Sequence, residues 1–538
     1  MFNGMNGNSV VNVEAKQVEG AFTSIAKYYR PEWTCGRYNA KHHIALMYNL
    51  LEGVVHYFED ISADVISEIL SVPRNEVIDI SRLIGISGLG RDLVEGFLNE
   101  LVNVGLLATR IFSHEEIMGI RKMICENRKS SIEEFASIPN DESNQETGLE
   151  MSTAEMRYAH ALKEDRIITS VMLELTYNCS EQCIHCYNIG ASRNESERSE
   201  RHLLKEMSLS DYKNAIDDLY NQGLVKICLT GGDPFSKPCI WELIDYVFKK
   251  EIAFDIFTNG QMLVGYEEKL ANYYPRLVGI SIYSAVAEVH DFITRRQGSY
   301  AKSEKVLDAL CNLGVPLNVK CCIMRPNLKT YRSVLALAKK YNAVPQLEIN
   351  VTDSVSGDKC VSTFLRLTES EYRVVLRDYD IPLYVGKESK YFLGAKRCMS
   401  DKACGAGENS MCITPDGECI PCCTFHYSFG NIKTASLEEI LSSDKRRWWL
   451  SCTLDNFEEC ARHDYCDYCN LCPGVNFSDT KTPLKAGENN CFLAKIRSRL
   501  THDLVNGTDP LKGKLIDEAI AELDEPQIGN ISRIRYNE

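Results

Sequence analysis

The sequence lacks what would send a chain into a membrane or onto a nucleic acid. Its 538 residues hold no apolar run of about 18 or more, the least a spanning helix needs. Lysine and arginine number 60 against 75 aspartates and glutamates, a net charge of −15 at pH 7. Binding to phosphates or to anionic lipid calls for a basic face, so neither partner is expected. No basic-then-apolar signal stretch opens the chain, and residues 1–17 are polar and Asn-rich, so a cytoplasmic location is expected. An apolar share of 44% with 25% charged residues suits a globular protein of two to four domains.

What the chain has in excess is cysteine, 23 residues. Without a secretory signal this number does not read as a disulfide framework. In a reducing compartment, clustered cysteines read as metal ligands. Three lie at 179–186 and twelve between Cys398 and Cys491.

The first group follows an apolar run at 171–176 that reads as a strand. Its spacing, Cys179-x3-Cys183-x2-Cys186, lets three thiolates converge from one tight turn. Soft thiolates so spaced suit an iron–sulfur cluster or zinc, and on the triplet alone a zinc site completed by His185 stays open. Three ligands leave one metal corner for a substrate or cofactor.

Such a triplet after a first barrel strand resembles the signature of the radical S-adenosylmethionine (radical SAM) enzymes. The resemblance implies that Cys179, Cys183 and Cys186 are the catalytic cysteines and hold a 4Fe–4S cluster. S-adenosylmethionine would chelate the fourth iron through its amino and carboxylate groups. One electron, from a donor such as flavodoxin or ferredoxin, would cleave it to methionine and a hydrogen-abstracting 5′-deoxyadenosyl radical. The protein's share is binding and orientation.

From 167 to about 355 strands alternate with helices. Strands are expected at 171–176, 225–230, 254–258, 278–282, 317–323 and 346–351. Helices at 209–222, 240–250, 300–313 and 330–341 separate them. Six such units match the fold the resemblance implies, α/β with a partial (β/α)6 radical SAM barrel. Working residues of parallel barrels sit at the C-terminal strand ends. There the chain places the cysteine triplet, then Thr230-Gly231-Gly232-Asp233-Pro234, then Thr258-Asn259-Gly260, then Ser281 and Tyr283. In the family a Gly-Gly-Glu-Pro segment binds the amino group of S-adenosylmethionine, and here Asp233 replaces Glu with a shorter reach. By resemblance Gly231, Gly232, Asp233, Pro234, Asn259 and Ser281, with Tyr187, contact this cofactor. The stretch His290-Asp291-x2-Thr294-x3-Gly298-Ser299 resembles a segment of peptide-modifying members, and His290 is assigned no catalytic role.

Upstream, 44–49 and 54–58 flank a Leu-Glu-Gly turn and read as a β-hairpin. Helical patterns follow at 62–70, 74–83 and 91–104, the last with Val94, Phe97, Leu98 and Leu101 on one face. This winged-helix-like unit resembles the recognition domain of enzymes that modify ribosomally made peptides, which binds a leader peptide as an added strand. A plain packing or dimerisation domain is the alternative. No Arg/Lys cluster marks a DNA-reading helix.

The second cysteine field resembles the SPASM extension, in which Cys-x(9–15)-Gly-x4-Cys precedes a cysteine-rich knot. Cys404-x12-Gly417-x4-Cys422 fits that pattern. The resemblance implies two auxiliary 4Fe–4S clusters, the first on Cys398, Cys404, Cys422 and Cys472. The second would take Cys460, Cys469 and Cys491 plus one more ligand. The family's knot opens with Cys-x2-Cys, but here Cys460-Ala-Arg-His463 puts histidine at the second place. Cys466 is the preferred substitute and His463 the other choice. Cys466-x2-Cys469-x2-Cys472 alone would also suit zinc. Cys412, Cys419, Cys423 and Cys452 match no ligand position. Cys35, Cys125, Cys228, Cys239, Cys311, Cys321, Cys322 and Cys360 read as buried apolar residues.

The expected organisation is a lead-in at 1–26, the winged-helix leader-recognition domain at 27–110 and a helical linker at 111–166. The barrel spans 167–360, a bridging region 361–395, the SPASM domain 396–495 and a tail 496–538. The function expected is modification of a precursor peptide, with a thioether (Cys sulfur to carbon) crosslink as the product. Carbon–carbon crosslinking, epimerisation, an anaerobic sulfatase-type maturase and a non-catalytic iron–sulfur scaffold are the alternatives.

Overall fold

A computed structural model describes residues 27–136, 152–188, 205–353, 364–378, 380–381 and 398–524. The lead-in, 137–151 of the linker, Cys360, most of the bridging region and the end of the tail lie outside the described residues.

The N-terminal unit is a three-stranded antiparallel sheet, β1 (Thr34–Asn39), β2 (Ile44–Asn49) and β3 (Val54–Glu59), in the order β1-β2-β3. Three helices follow, α1 (Asp60–Ser71), α2 (Ile80–Ser87) and α3 (Arg91–Asn103). Val94, Phe97, Leu98 and Leu101 of α3 are buried, as their spacing requires, and each stabilises by about 1.5–3 kcal/mol. They pack with Ala45, Met47, Phe58 and Ile66 in a core of their own. Two expectations change. The hairpin gains β1, and the helix expected at 74–83 begins at Ile80. Val77 instead pairs with Tyr29, and the Asp79 carboxylate caps the helix by accepting from the Ser81 and Arg82 amides. Helices α4 (His114–Ala136) and α5 (Thr153–Asp165) lead on to the second body.

That body is built on β4 (Ser170–Glu174), α6 (Leu209–Asn221), β5 (Lys226–Thr230), α7 (Ile240–Lys249), β6 (Ala253–Thr258) and α8 (Glu267–Ala271). It continues through β7 (Leu277–Ser281), α9 (Ala287–Thr294), α10 (Ser299–Asn312), β8 (Leu317–Cys322), α11 (Arg332–Lys340) and β9 (Val344–Glu348). Strands β4 to β9 pair in chain order and all in parallel. Their inward and outward residues form the main core, with Val171, Leu173, Ile227, Ile256, Ile280 and Val319 fully buried.

After α12 (Glu369–Val375) come β10 (Ser410–Ile413), β11 (Glu418–Ile420) and β12 (Gly430–Asn431). Strand β10 pairs in parallel with β4, Ser410 opposite Ser170, so the whole is a nine-stranded sheet. Helices α13 (Leu437–Leu441), α14 (Asp444–Ser451), α15 (Pro473–Thr480), α16 (Glu488–Val505) and α17 (Ile516–Ala521) complete the chain.

The N-terminal unit docks under the barrel, against the loops that enter the strands. Arg37 donates to the Leu224 carbonyl before β5, and Arg30 pairs with Glu251 before β6. Trp33, Leu50 and Leu51 pack on Ala253 and Tyr274, and Arg121 of α4 donates to the Ala271 carbonyl before β7. The opposite, C-terminal strand ends are therefore left to the site. Among the described residues no helix is long and apolar enough to cross a membrane.

Candidate active site and cysteine clusters

The cysteine loop leaves β4 and is held on three sides. The Gln182 and Ile184 amides donate to the Thr294 and Ile293 carbonyls at the end of α9, at 3.0 and 2.8 Å. Arg296 donates to the Ser180 carbonyl at 2.5 Å. From β5, the Gly232 amide donates to the Thr176 carbonyl at 2.6 Å and the Asp233 amide to the Asn178 carbonyl at 2.9 Å. A Cβ on Gly232 would lie 2.3 Å from the Asn178 oxygen, so only glycine permits this approach. Gly231, at φ +132°, sits where side chains are strained.

Cys179, Cys183 and Cys186 are brought together, close enough to act on one another's ionisation. Burial pushes the Cys183 thiol well above its ordinary range, and the charges of Glu181, Cys186 and Cys179 push it further. Ionising several such thiols at once needs a compensating cation, which an iron cluster supplies. Asn259 donates to the Cys179 sulfur at 3.3 Å and to Ser180 Oγ at 3.4 Å. Asp233 is fully buried, and its Oδ1 accepts from the Thr258 hydroxyl. Its Oδ2 has no hydrogen-bond partner, and burial raises its pKa to about 6. An orphaned buried carboxylate oxygen beside the cysteine loop fits an ammonium group. Pro234 opens a buried turn, and Ser281, half-buried at the end of β7, bonds the Tyr283 side chain. Tyr283 stands edge-on to His185, with ring centroids 4.6 Å apart. His290 is buried, and its Nδ1 accepts from the Tyr283 amide at 3.2 Å.

In the second field burial raises the pKa of the Cys422 and Cys472 thiols, and the neighbouring Cys404 adds to the shift of both. Cys398 is exposed, and its sulfur lies 3.0 Å from Ser400 Oγ, whose hydrogen bonds hold its thiol below the usual range. Further on, Cys460, Cys466, Cys469 and Cys491 line one small cavity. Cys466 is buried there, whereas His463 is exposed at the cavity rim and stacked on Tyr465 at 5.0 Å. The donor set of four soft sulfurs around an empty volume fits a metal cluster, with Cys466 placed better than His463 to complete it. Asn476 braces this site, accepting from the Gly487 and Asn490 N–H groups at 2.8 and 2.9 Å.

The unmatched cysteines divide. Cys412, Cys419 and Cys452 are buried, and so are Cys35, Cys228 and Cys321. Cys125, Cys239, Cys311 and Cys322, expected to be buried, are only half so. Cys423 meets the Tyr187 hydroxyl. Several residues near the site carried no signal in the sequence. Arg296, Glu181 and Glu174 are ordinary charged residues until the fold gathers them at one strand end. Burial raises Glu174 to about 7, with Asp416 adding to the shift. Glu206 receives the Tyr177 amide, the Thr176 hydroxyl and Lys237, bracing the start of the cysteine loop.

Comparison with known proteins agrees with this geometry. The model of the Radical SAM superfamily matches residues 173–338, and that of the SPASM iron–sulfur cluster-binding domain matches 404–473. The chain is 28% identical over 333 residues to the antilisterial bacteriocin subtilosin biosynthesis protein AlbA of Bacillus subtilis, covering 60% of this chain and 70% of that one. It is 26% identical over 277 residues to the mycofactocin maturase MftC of Mycobacterium tuberculosis, covering 48% and 66%. With the PqqA peptide cyclase of Rhodopseudomonas palustris it shares 26% over 271 residues, covering 47% and 66%. Among solved structures, Streptococcus suis SuiB bound to precursor peptide SuiA superposes with a TM-score of 0.46 at 13% identity, covering 86% of this chain and 99% of that one. With its cysteine triplet, its glycine-lined strand end and a cysteine-rich extension on the same sheet, the chain carries a radical SAM domain followed by a SPASM iron–sulfur cluster-binding domain.

Proposed function

We propose that this chain modifies a ribosomally made precursor peptide and joins a cysteine sulfur of that peptide to a carbon. The observation that carries the reading is the pairing of β10 with β4, which sets the auxiliary cysteine field beside the mouth of the barrel. The names of the relatives, a bacteriocin biosynthesis protein, a maturase and a peptide cyclase, support a peptide substrate.

When bound, the cluster and S-adenosylmethionine supply a carbon-centred radical able to remove hydrogen from a carbon. The residues of this chain bind and orient. Cys179, Cys183 and Cys186 hold the iron. Gly231, Gly232, Asp233 and Pro234 seat the amino group of S-adenosylmethionine, with Tyr187, Asn259 and Ser281 around the rest. Cys398, Cys404, Cys422 and Cys472 hold one auxiliary cluster, and Cys460, Cys466, Cys469 and Cys491 the other. The leader of the peptide lies along the edge of the N-terminal sheet, held by main-chain hydrogen bonds. That sheet sits under the strand entrances, so the peptide must travel the height of the barrel. Strands of five or six residues rise about 17–20 Å, which takes at least ~6 extended residues between leader and modified position.

The test uses the full chain, reconstituted with iron and sulfide under anaerobic reduction, with S-adenosylmethionine and a cysteine-containing precursor peptide sought among the short open reading frames beside its gene. The expected products are 5′-deoxyadenosine and a peptide lighter by a pair of hydrogens, its cysteine closed to alkylation. Absence of 5′-deoxyadenosine sinks the radical reading, and 5′-deoxyadenosine with a freely alkylated cysteine sinks the thioether.

A further inference from the structure

One small pocket is walled by residues that follow cysteines of both fields. Tyr187, the residue after Cys186, forms one wall, and Asp353, just past β9, another. The third wall comes from the extension: Thr424 and His426, shortly after Cys422, and Ser478 and Lys481, shortly after Cys472. Lys481 holds φ +62°, a conformation that costs a non-glycine residue on the order of 1 kcal/mol. The Asp353 side chain is fully buried and accepts from Arg366 at 2.9 Å, which fixes a carboxylate in this wall.

His426 is the unusual member. Its imidazole bonds the main-chain carbonyl of Cys423, and Nε2 is buried with no hydrogen-bond partner. The bond to a carbonyl requires an N–H, so the tautomer is set and Nε2 is left as an acceptor. A buried acceptor without a partner costs about 1–3 kcal/mol, a penalty that a ligand donor removes. Burial also keeps the ring neutral by lowering its pKa.

We infer that this pocket receives the side chain of the peptide cysteine and that His426 Nε2 takes the thiol proton. The inference rests on the thioether reading above. In the step the S–H bond breaks, the Nε2–H bond forms, and the electron pair stays on sulfur as thiolate; imidazole becomes imidazolium. No oxidant is needed for this step. Thiol is the neutral side-chain donor that gives up its proton most readily: its ordinary pKa of about 8.5 lies below that of the tyrosine hydroxyl, near 10. Tyr187 adjoins Cys186 and Thr424 follows Cys422 by two residues, so the walls of the pocket come from both cysteine fields, where a sulfur and the activated carbon must meet.

The experiment compares the full reconstituted chain with its His426→Gln and His426→Ala variants. Each is given the precursor peptide made with cysteine or with selenocysteine at the crosslinked position. A selenol is ionised at neutral pH and needs no base. H426Q is expected to lose at least tenfold in crosslink formed per 5′-deoxyadenosine with the cysteine peptide, and to recover to within threefold with the selenocysteine peptide. Added imidazole should restore H426A in the same way. Peptide affinity without S-adenosylmethionine gives a readout apart from turnover: the native chain should bind the cysteine peptide about tenfold more tightly than its Cys→Ala form, and H426Q should not discriminate. Unchanged coupling in H426Q overturns the inference, as does equal loss with sulfur and selenium, which marks a structural role. If the native chain crosslinks no cysteine at all, the thioether reading itself fails, a result distinct from either.

Discussion

Gly232→Ala tests how tightly the glycine pair is docked on the cysteine loop. The added Cβ would stand 2.3 Å from the Asn178 oxygen, 2.7 Å from its carbon and 2.9 Å from the Tyr177 oxygen, all main-chain atoms. To reach the 3.0 Å below which such contacts essentially never occur, the carbonyl must retreat by about 0.7 Å. No flexible side chain absorbs that movement, so the cost falls at the upper end of the overpacking range, about 3 kcal/mol. The retreat also stretches the bonds from the Gly232 and Asp233 amides, each contributing about 0.5–1.5 kcal/mol. For a unit of this size about 3 kcal/mol corresponds to a fall of ~6–12 °C in Tm. Gly85→Ala is the control: Gly85 lies inside α2 with open space around it, and alanine there should stabilise by about 0.5–1 kcal/mol. Scanning calorimetry of both variants gives the stability change, and iron content with 5′-deoxyadenosine yield gives the effect on the site. G232A with native Tm and native 5′-deoxyadenosine yield would refute the close docking, whatever G85A does.

Asn259→Ala removes the N–H group that lies on the Cys179 sulfur, a bond that favours the more negative, reduced state of a cluster held there. At about 1 kcal/mol that is a fall of ~40 mV in the cluster potential, read by EPR-monitored titration; an unchanged potential would place Asn259 on the cofactor alone. Glu174, with a folded pKa of about 7 against an ordinary 4.5, binds more protons in the folded chain than in the unfolded one between those values. Its burial therefore costs stability progressively as pH rises from about 4.5 to 7, up to ~3 kcal/mol, so Glu174→Gln should gain on the native chain between pH 5 and pH 8 in denaturant melts. Parallel pH profiles would show the carboxylate to be solvated. Arg30 is 1% exposed and pairs with Glu251, which also faces Arg74 at 3.8 Å. Glu251→Ala leaves those guanidinium groups without their counter-charge and should destabilise by about 3 kcal/mol, more than the shape-conserving Arg30→Met; the reverse order in Tm would discount the pair.

Much of the site was legible because its chemistry is local in the chain. Three cysteines within eight positions must share one turn, whatever surrounds them, and Gly-Gly-Asp-Pro after an apolar run can scarcely be other than a strand end. The six parallel strands followed from their apolar runs, and the face of α3 from its spacing. Strand β1 did not, since Thr34-Cys-Gly-Arg-Tyr-Asn39 has no alternation and becomes a strand only through its pairing with β2. The start of α2 was misread because Val77 is taken by Tyr29, a partner distant in sequence.

The sequence by itself determined the kind of chemistry, because ligand type and spacing are properties of a short segment. The tertiary structure alone decided where that chemistry faces. Pairing of β10 with β4 brought the second cysteine field to the barrel mouth, and docking of the N-terminal sheet under the strand entrances put it at the far end. It also turned Asn259 toward the Cys179 sulfur and buried His426 Nε2 without a partner. These are long-range contacts between residues that carry no pattern of their own, and only the packed fold brings them together.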